Sequence, residues 1–348
     1  MPRGQDLVSG RVRAMNGYTP GEQPTDRELI KLNTNENPYP CSPLVAEAIE
    51  TEAHRLHLYP APMADALRVR AAEVYRVKAE QVLAGNGSDE LLAILLRACT
   101  QPGDTIAYPV PTYSLYRVLA QLAGVTAIEV VADGCAIPRA LEATAARVVF
   151  LCTPNSPTGR SIGLDAIAAF ARSAAGVVVV DEGYIDFGGA SALTILAEHP
   201  NMVVTRTFSK SFSLAGLRLG LLFAHEDLVA ELSKVKDSYN VSRVAIAAGV
   251  AALDDLVWMQ SNVARIRATR VRVTAALRRA GLAVEDSCAN FLWVDCRSRG
   301  GGQAVYDRLR SGGVLVRFFA GDGLANCVRV SIGTDEQMDR FLHVIAAT

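Results

Sequence analysis

The sequence predicts an α/β protein: a large domain on a mostly parallel, doubly wound sheet, a small α+β domain after it, and an extended N-terminal arm. Three observations carry this. Short apolar runs at 148–152, 177–180 and 203–204 alternate with segments of helical period, as strands buried on both faces do. The texture changes late in the chain, where strand patterns surround helices near 303–311 and 335–346 in a β-α-β-β-α order. Residues 1–40 carry turn formers (Gly17, Pro20, Gly21, Pro24, then Asn33, Asn35, Asn37, Pro38, Pro40) and little periodicity. The expected units are an arm over 1–42, a large domain over 43–255 and a small domain over 256–348 that packs with the N-terminal segment.

A chain of 348 residues exceeds one small core. Half of it is hydrophobic and a fifth charged, as in globular proteins. The net charge of −1, without acidic or basic blocks, points to neither nucleic acid nor an anionic membrane. Seven scattered cysteines (41, 99, 135, 152, 288, 296, 327) include no CxxC pair, so a reducing, cytoplasmic setting is expected. Met1–Asp6 has no apolar signal region, and no run approaches a membrane span. The five histidines are dispersed, and no metal site is expected.

Taken in order, residues 43–56 read as a helix, Leu58-Tyr59-Pro60-Ala61-Pro62 as a rigid turn, and 63–79 as a second helix. Gln81–Ala84 leads into Gly85-Asn86-Gly87-Ser88-Asp89-Glu90 and the apolar helix Leu91–Cys99. A strand, a glycine turn and a helix start present free N–H groups and a positive dipole end, which suits an anion. Glu90 stands where a dinucleotide fold wants a third glycine, so a lone phosphate is expected. Thr105–Tyr108 and Val125–Val131 are strand candidates, with Tyr113 in the loop between them. Val148–Cys152 runs into Thr153-Pro154-Asn155-Ser156-Pro157-Thr158-Gly159, a loop stiff enough to hold the Asn155 amide.

After a helix at 164–173, the four valines at 177–180 make a central strand ending in Asp181. A carboxylate there loses solvation and wants a cationic partner. Val203–Thr205 leads to Thr207, Ser209 and Lys210, with Arg218 eight positions later. An enclosed lysine loses its proton and attacks carbonyls. Two hydroxyls and a planar guanidinium suit a phosphate. A surface lysine in a strand–turn–strand is the plainer alternative. Asn155, Asp181 and Lys210 each follow an apolar run, and ligands of open α/β sheets sit beyond such strand ends. Leu217–Phe223 reads as a strand, and 227–252 and 255–280 as long helices. Arg317 and Arg329 lie in apolar strand patterns, where structural ion pairs and an anion site are both open.

The stretch Val203–Gly220 resembles the cofactor-lysine segment of fold-type I pyridoxal-phosphate aminotransferases, most closely the histidinol-phosphate aminotransferase subgroup. The likeness runs from Tyr18 to Gly333, with motifs in family order. It implies that Lys210 carries pyridoxal 5'-phosphate and moves protons, that Asp181 faces the ring nitrogen, and that Asn155 and Tyr184 hold the ring oxygen. Tyr113 lies on the cofactor face. Gly87, Ser88, Asp89, Thr207, Ser209, Arg218 and a neighbouring subunit's Tyr59 complete the cofactor set. Tyr18, Asn35, Arg317 and Arg329 fall to the substrate. Ala61, Gly183, Thr153 and Ser156 depart from the family pattern. The implied partners are a small amino donor, a 2-oxo acid and a second copy of the chain. The implied reaction is transamination of histidinol phosphate with 2-oxoglutarate. An aromatic amino acid aminotransferase, a decarboxylase of a phosphorylated amino acid and a cofactor-sensing regulator are the alternatives. The regulator lacks the basic helix-turn-helix it would need in the first 40 residues.

Overall fold

The computed structural model describes residues 4–25, 28–132, 134, 136–321 and 323–346. Its strands in chain order are β1 (Ile30–Lys31), β2 (Val82–Gly85), β3 (Thr105–Val110), β4 (Thr126–Val131), β5 (Val148–Cys152), β6 (Val177–Asp181), β7 (Met202–Thr207), β8 (Gly220–Ala224), β9 (Ala283–Val284), β10 (Phe291–Asp295), β11 (Val314–Leu315), β12 (Arg317–Phe318) and β13 (Cys327–Ser331). Seven form one sheet in the order β2-β8-β7-β6-β5-β3-β4. All its pairings are parallel except those of β8, which runs antiparallel to both neighbours.

Successive residues of the central strands enter different cores. Val178 and Val180 pack with Phe170, Leu196 and Leu253 on one face, while Val179 packs with Leu92, Leu95 and Leu119 on the other. Burial on both faces explains why these strands are unbroken apolar runs rather than alternating ones. It also aligns the ends of β5, β6 and β7, with Cys152 opposite Asp181 and Asp181 opposite Thr205.

A third core joins Leu32 and Tyr39 to side chains between Val263 and Ile345. Its sheet has the order β12-β13-β10-β9, while β1 pairs in parallel with β11.

Two elements differ from the sequence expectation. The helix expected over 227–252 is two helices, Glu226–Ser233 and Arg243–Asp254. The segment between them is held by tertiary bonds: Lys236 donates to the Pro62 carbonyl at 2.7 Å, and Asn240 to Glu90 at 2.8 Å. The second helix then restarts on Ser242, whose hydroxyl accepts from Ala245 N–H. The strand expected from Leu217 begins only at Gly220, because Arg218 sits in the left-handed region at φ 54°. Among the described residues no single helix is long and apolar enough to cross a membrane, and no group of three His, Cys, Asp or Glu is placed to hold a metal.

Candidate active site

A cavity of about 480 Å³ opens beyond the carboxyl ends of β5, β6 and β7. It is lined by Tyr18, Asn35, Ser88, Asp89, Tyr113, Asp181, Tyr184, Thr207, Ser209, Lys210, Arg218, Arg317 and Arg329. Residues more than 300 positions apart thus share one site.

Lys210 follows β7 in a turn stapled to the core by buried Phe208, Phe212 and Leu214. Asn37 fixes its backbone, donating to the carbonyls of Lys210 at 3.1 Å and Ser211 at 3.2 Å. The lysine Nζ donates to the Thr34 carbonyl at 2.9 Å. Burial pushes its pKa down to about 8, helped by the Arg329 and Arg218 cations and opposed by Glu36 and Asp89.

Asp181 is 5 % exposed. Burial raises its pKa, while hydrogen bonds from Tyr116 and Thr205 pull it back. Tyr116 donates to one carboxylate oxygen at 2.7 Å and Thr205 to the other at 3.0 Å. Tyr184 receives the Asn35 amide at 3.1 Å. Its pKa is pushed up to about 12, chiefly by burial, so it stays a phenol and keeps a proton to donate.

The anion corner lies at the start of the helix Gly87–Cys99. Gly87 has φ +79°, and a Cβ there would sit 2.8 Å from the Arg218 guanidinium. A Cβ on Gly220 would come within 2.6 Å of the Gly87 carbonyl carbon. Glycine at both positions lets backbone, guanidinium and helix N-terminus crowd together. Arg218 donates to Asp89 at 3.2 Å and to Ser209 at 3.4 Å.

At the other end, Arg329 of β13 donates to Ser156 Oγ at 2.9 Å and to the Asn33 carbonyl at 3.0 Å. Its guanidinium lies 5.3 Å from the Phe291 ring centre and 5.5 Å from that of Phe319. Its Nε is buried without a partner. Arg317, which lines the same cavity, also holds the arm, donating to the carbonyls of Thr19 at 2.9 Å and Pro20 at 3.0 Å. That hold brings Tyr18 edge-on to Tyr113, with ring centres 6.0 Å apart.

Two expected residues lie elsewhere. Asn155 lines a separate cavity of about 60 Å³. Its amide nitrogen donates to the Pro111 carbonyl at 3.0 Å and to Thr158 at 2.9 Å, and its oxygen accepts from Thr112. Both amide hydrogens thus have partners, one after β3 and one in its own loop, and the next residue, Ser156, turns into the main cavity instead. Tyr59 is 78 % exposed and stacks on Tyr239 at 4.6 Å, outside the cavity of its own chain. Sequence reasoning also missed Tyr116 and Thr205. Thr205 had a signal, since it shares a strand face with Thr207 two residues on.

A seven-stranded, mostly parallel sheet with a lysine, a buried aspartate and an anion cradle at its strand ends is an aminotransferase scaffold. The family model for class I and II aminotransferases matches residues 27–345, and the chain belongs to that family. Among its relatives, histidinol-phosphate aminotransferase 1 of Bradyrhizobium diazoefficiens is 43% identical over 339 residues, covering 96% of this chain and 97% of that protein. Histidinol-phosphate aminotransferase 1 of Trichormus variabilis is 40% identical over 330 residues, 94% of each. Among solved structures, histidinol-phosphate aminotransferase from Sinorhizobium meliloti in complex with pyridoxal-5'-phosphate aligns with TM-score 0.89 and 25% identity over 98% of both chains.

Proposed function

We propose that this chain transfers the amino group of L-histidinol phosphate to 2-oxoglutarate, giving imidazole acetol phosphate and L-glutamate, with pyridoxal 5'-phosphate as cofactor. The observation that carries the substrate is the near-full-length likeness to enzymes of that name. Support for the cofactor comes from the cavity itself: a glycine-lined cradle with one guanidinium, and a buried carboxylate that needs a cation. When bound, pyridoxal phosphate supplies an aldehyde for covalent attachment and a protonated ring that accepts the electron pair left at the substrate's Cα.

The chain's residues supply the rest. Ser88, Thr207, Ser209, Arg218 and the Gly87 backbone would hold the phosphate. Asp181 would face the ring nitrogen, Tyr184 would donate to the ring oxygen and Tyr113 would cover a ring face. Lys210 would be the attachment point, and its amine, when free, would be the base for the Cα proton. Its lowered pKa leaves a useful fraction as free amine near neutral pH. Arg329 takes the carboxylate of glutamate in one half-reaction and the phosphate of histidinol phosphate in the other, with Tyr18 closing the mouth. Arg317, in the same cavity, would join Arg329 and Tyr18 at that phosphate while holding the arm.

A panel of amino donors with 2-oxoglutarate, read as glutamate formed, tests this. Histidinol phosphate is expected to give the highest kcat/KM. Higher kcat/KM with phenylalanine would reassign the enzyme to aromatic amino acids, and carbon dioxide release without glutamate would make it a decarboxylase.

The proposal includes a cytoplasmic homodimer in which exposed Tyr59 reaches the other subunit's phosphate. Mixing inactive Lys210→Ala chains with impaired Tyr59→Ala chains is then expected to raise activity above that of either alone. One site in such a hybrid receives both intact residues. No gain on mixing, with subunit exchange verified, counts against a shared site.

A further inference from the structure

Asp181 does not stand alone at the end of β6. Its two oxygens each accept one hydroxyl, Tyr116 Oη at 2.7 Å and Thr205 Oγ1 at 3.0 Å. Both donors are fully buried. A carboxylate has about four lone-pair sites; the Gly183 N–H takes a third, so about one remains for the cavity that Asp181 lines. Hydrogen bonds to the charged form favour it over the neutral acid. Without them, burial would push the carboxyl further toward the neutral acid, which attracts a cation less.

Tyr116 is also held rigidly. Its ring stacks on Phe150 with centres 4.6 Å apart and planes 10° from parallel. Tyr113, three residues earlier and exposed to the cavity, meets it edge-on at 5.7 Å. One side chain therefore touches both the carboxylate at the cavity floor and an aromatic ring in its wall. Neither phenol loses its proton, because burial raises both pKa values. Tyr116 can thus only donate to the carboxylate.

We propose that Tyr116, with Thr205, is a positioning residue that keeps the Asp181 carboxylate anionic and aimed at the cavity. The inference rests on the reading in which Asp181 meets a protonated ring nitrogen. Tyr116 acts through Asp181 and touches no substrate.

Tyr116→Phe keeps the ring stack and removes only the hydroxyl. Thr205→Val does the same on the other oxygen, and provides a second route should the first variant fold poorly. The test uses holoenzyme loaded with pyridoxal phosphate carrying nitrogen-15 in the ring, at pH 8. Wild type is expected to show a pyridinium shift. Each variant is expected to move toward the neutral pyridine shift, with kcat lowered about 10- to 100-fold, as for loss of one hydrogen bond to a charged group, and with KM little changed. A wild-type nitrogen shift and kcat in both folded variants would overturn the inference while leaving the aminotransferase reading intact. Wild-type protein that binds no labelled cofactor would instead overturn that reading, and this inference with it.

Discussion

Lys210→Ala is expected to lower kcat by roughly four orders of magnitude or more, because in the proposed function one change removes both the attachment amine and the proton carrier. The turn itself should survive. Its anchors are the Phe208, Phe212 and Leu214 side chains and the Asn37 bonds to backbone carbonyls, none of which involves the lysine ammonium. Single-turnover assays with histidinol phosphate check the loss, and near-wild-type turnover would remove the mechanism. A companion effect follows from burial. The folded protein holds Lys210 at about 8 against 10.5 for a free lysine. Below about 8 the ammonium is charged in both folded and unfolded chains, and its desolvation is a full cost to the fold. Between about 8 and 10.5 the folded protein has released a proton that the unfolded chain still binds, so stability rises with pH. Cofactor-free Lys210→Met should therefore melt above wild type at pH 7. The advantage should shrink as pH climbs through that window.

Asp181→Asn is expected to cost kcat about 100- to 1000-fold, the usual scale for deleting one preorganised electrostatic partner. The cofactor-free fold should be as stable as before, or more so. Asparagine fills the same volume, still accepts from Thr205, and leaves no enclosed charge. The carboxyl's raised pKa marks that charge as a burden on the empty protein. Thermal melts beside steady-state kinetics separate the two effects. A variant that turned over normally would sink the assignment of Asp181 to the ring nitrogen.

The fold class was legible because the central strands are buried on both faces. Val148–Cys152 and Val177–Asp181 could be nothing but interior strands once their length and helical flanks were noticed. The break at 234–242 was hidden because it depends on distant partners such as Pro62 and Glu90, which helical periodicity does not register. Ser238-Tyr239-Asn240 followed by Ser242 was the available warning. At the site, residue types were readable but directions were not. Asn155 and Ser156 are neighbours between two prolines, yet they face different cavities. Asparagine had the more versatile side chain, and nothing local showed that Pro111 and Thr158 occupy its amide hydrogens. Arg317 does line the main cavity, but its hold on the arm was not readable. Its strand pattern was visible, but the arm carbonyls that take its guanidinium lie 297 and 298 positions away.

The stitching of residues 30–36 to the far end of the chain has a consequence for synthesis. Leu32 accepts from Ser331 N–H at 2.9 Å, Asn35 N–H donates to the Ser331 hydroxyl, and Asn290 donates to the Asn35 carbonyl. A nascent polypeptide therefore exposes Thr34 and Asn35 long before the segments that pin them have left the ribosome. The seven-stranded sheet has all its strands by residue 224, lysine included, but the wall that encloses the lysine must wait for Ser331. The lysine's enclosure is thus completed only by residues made near the end of translation.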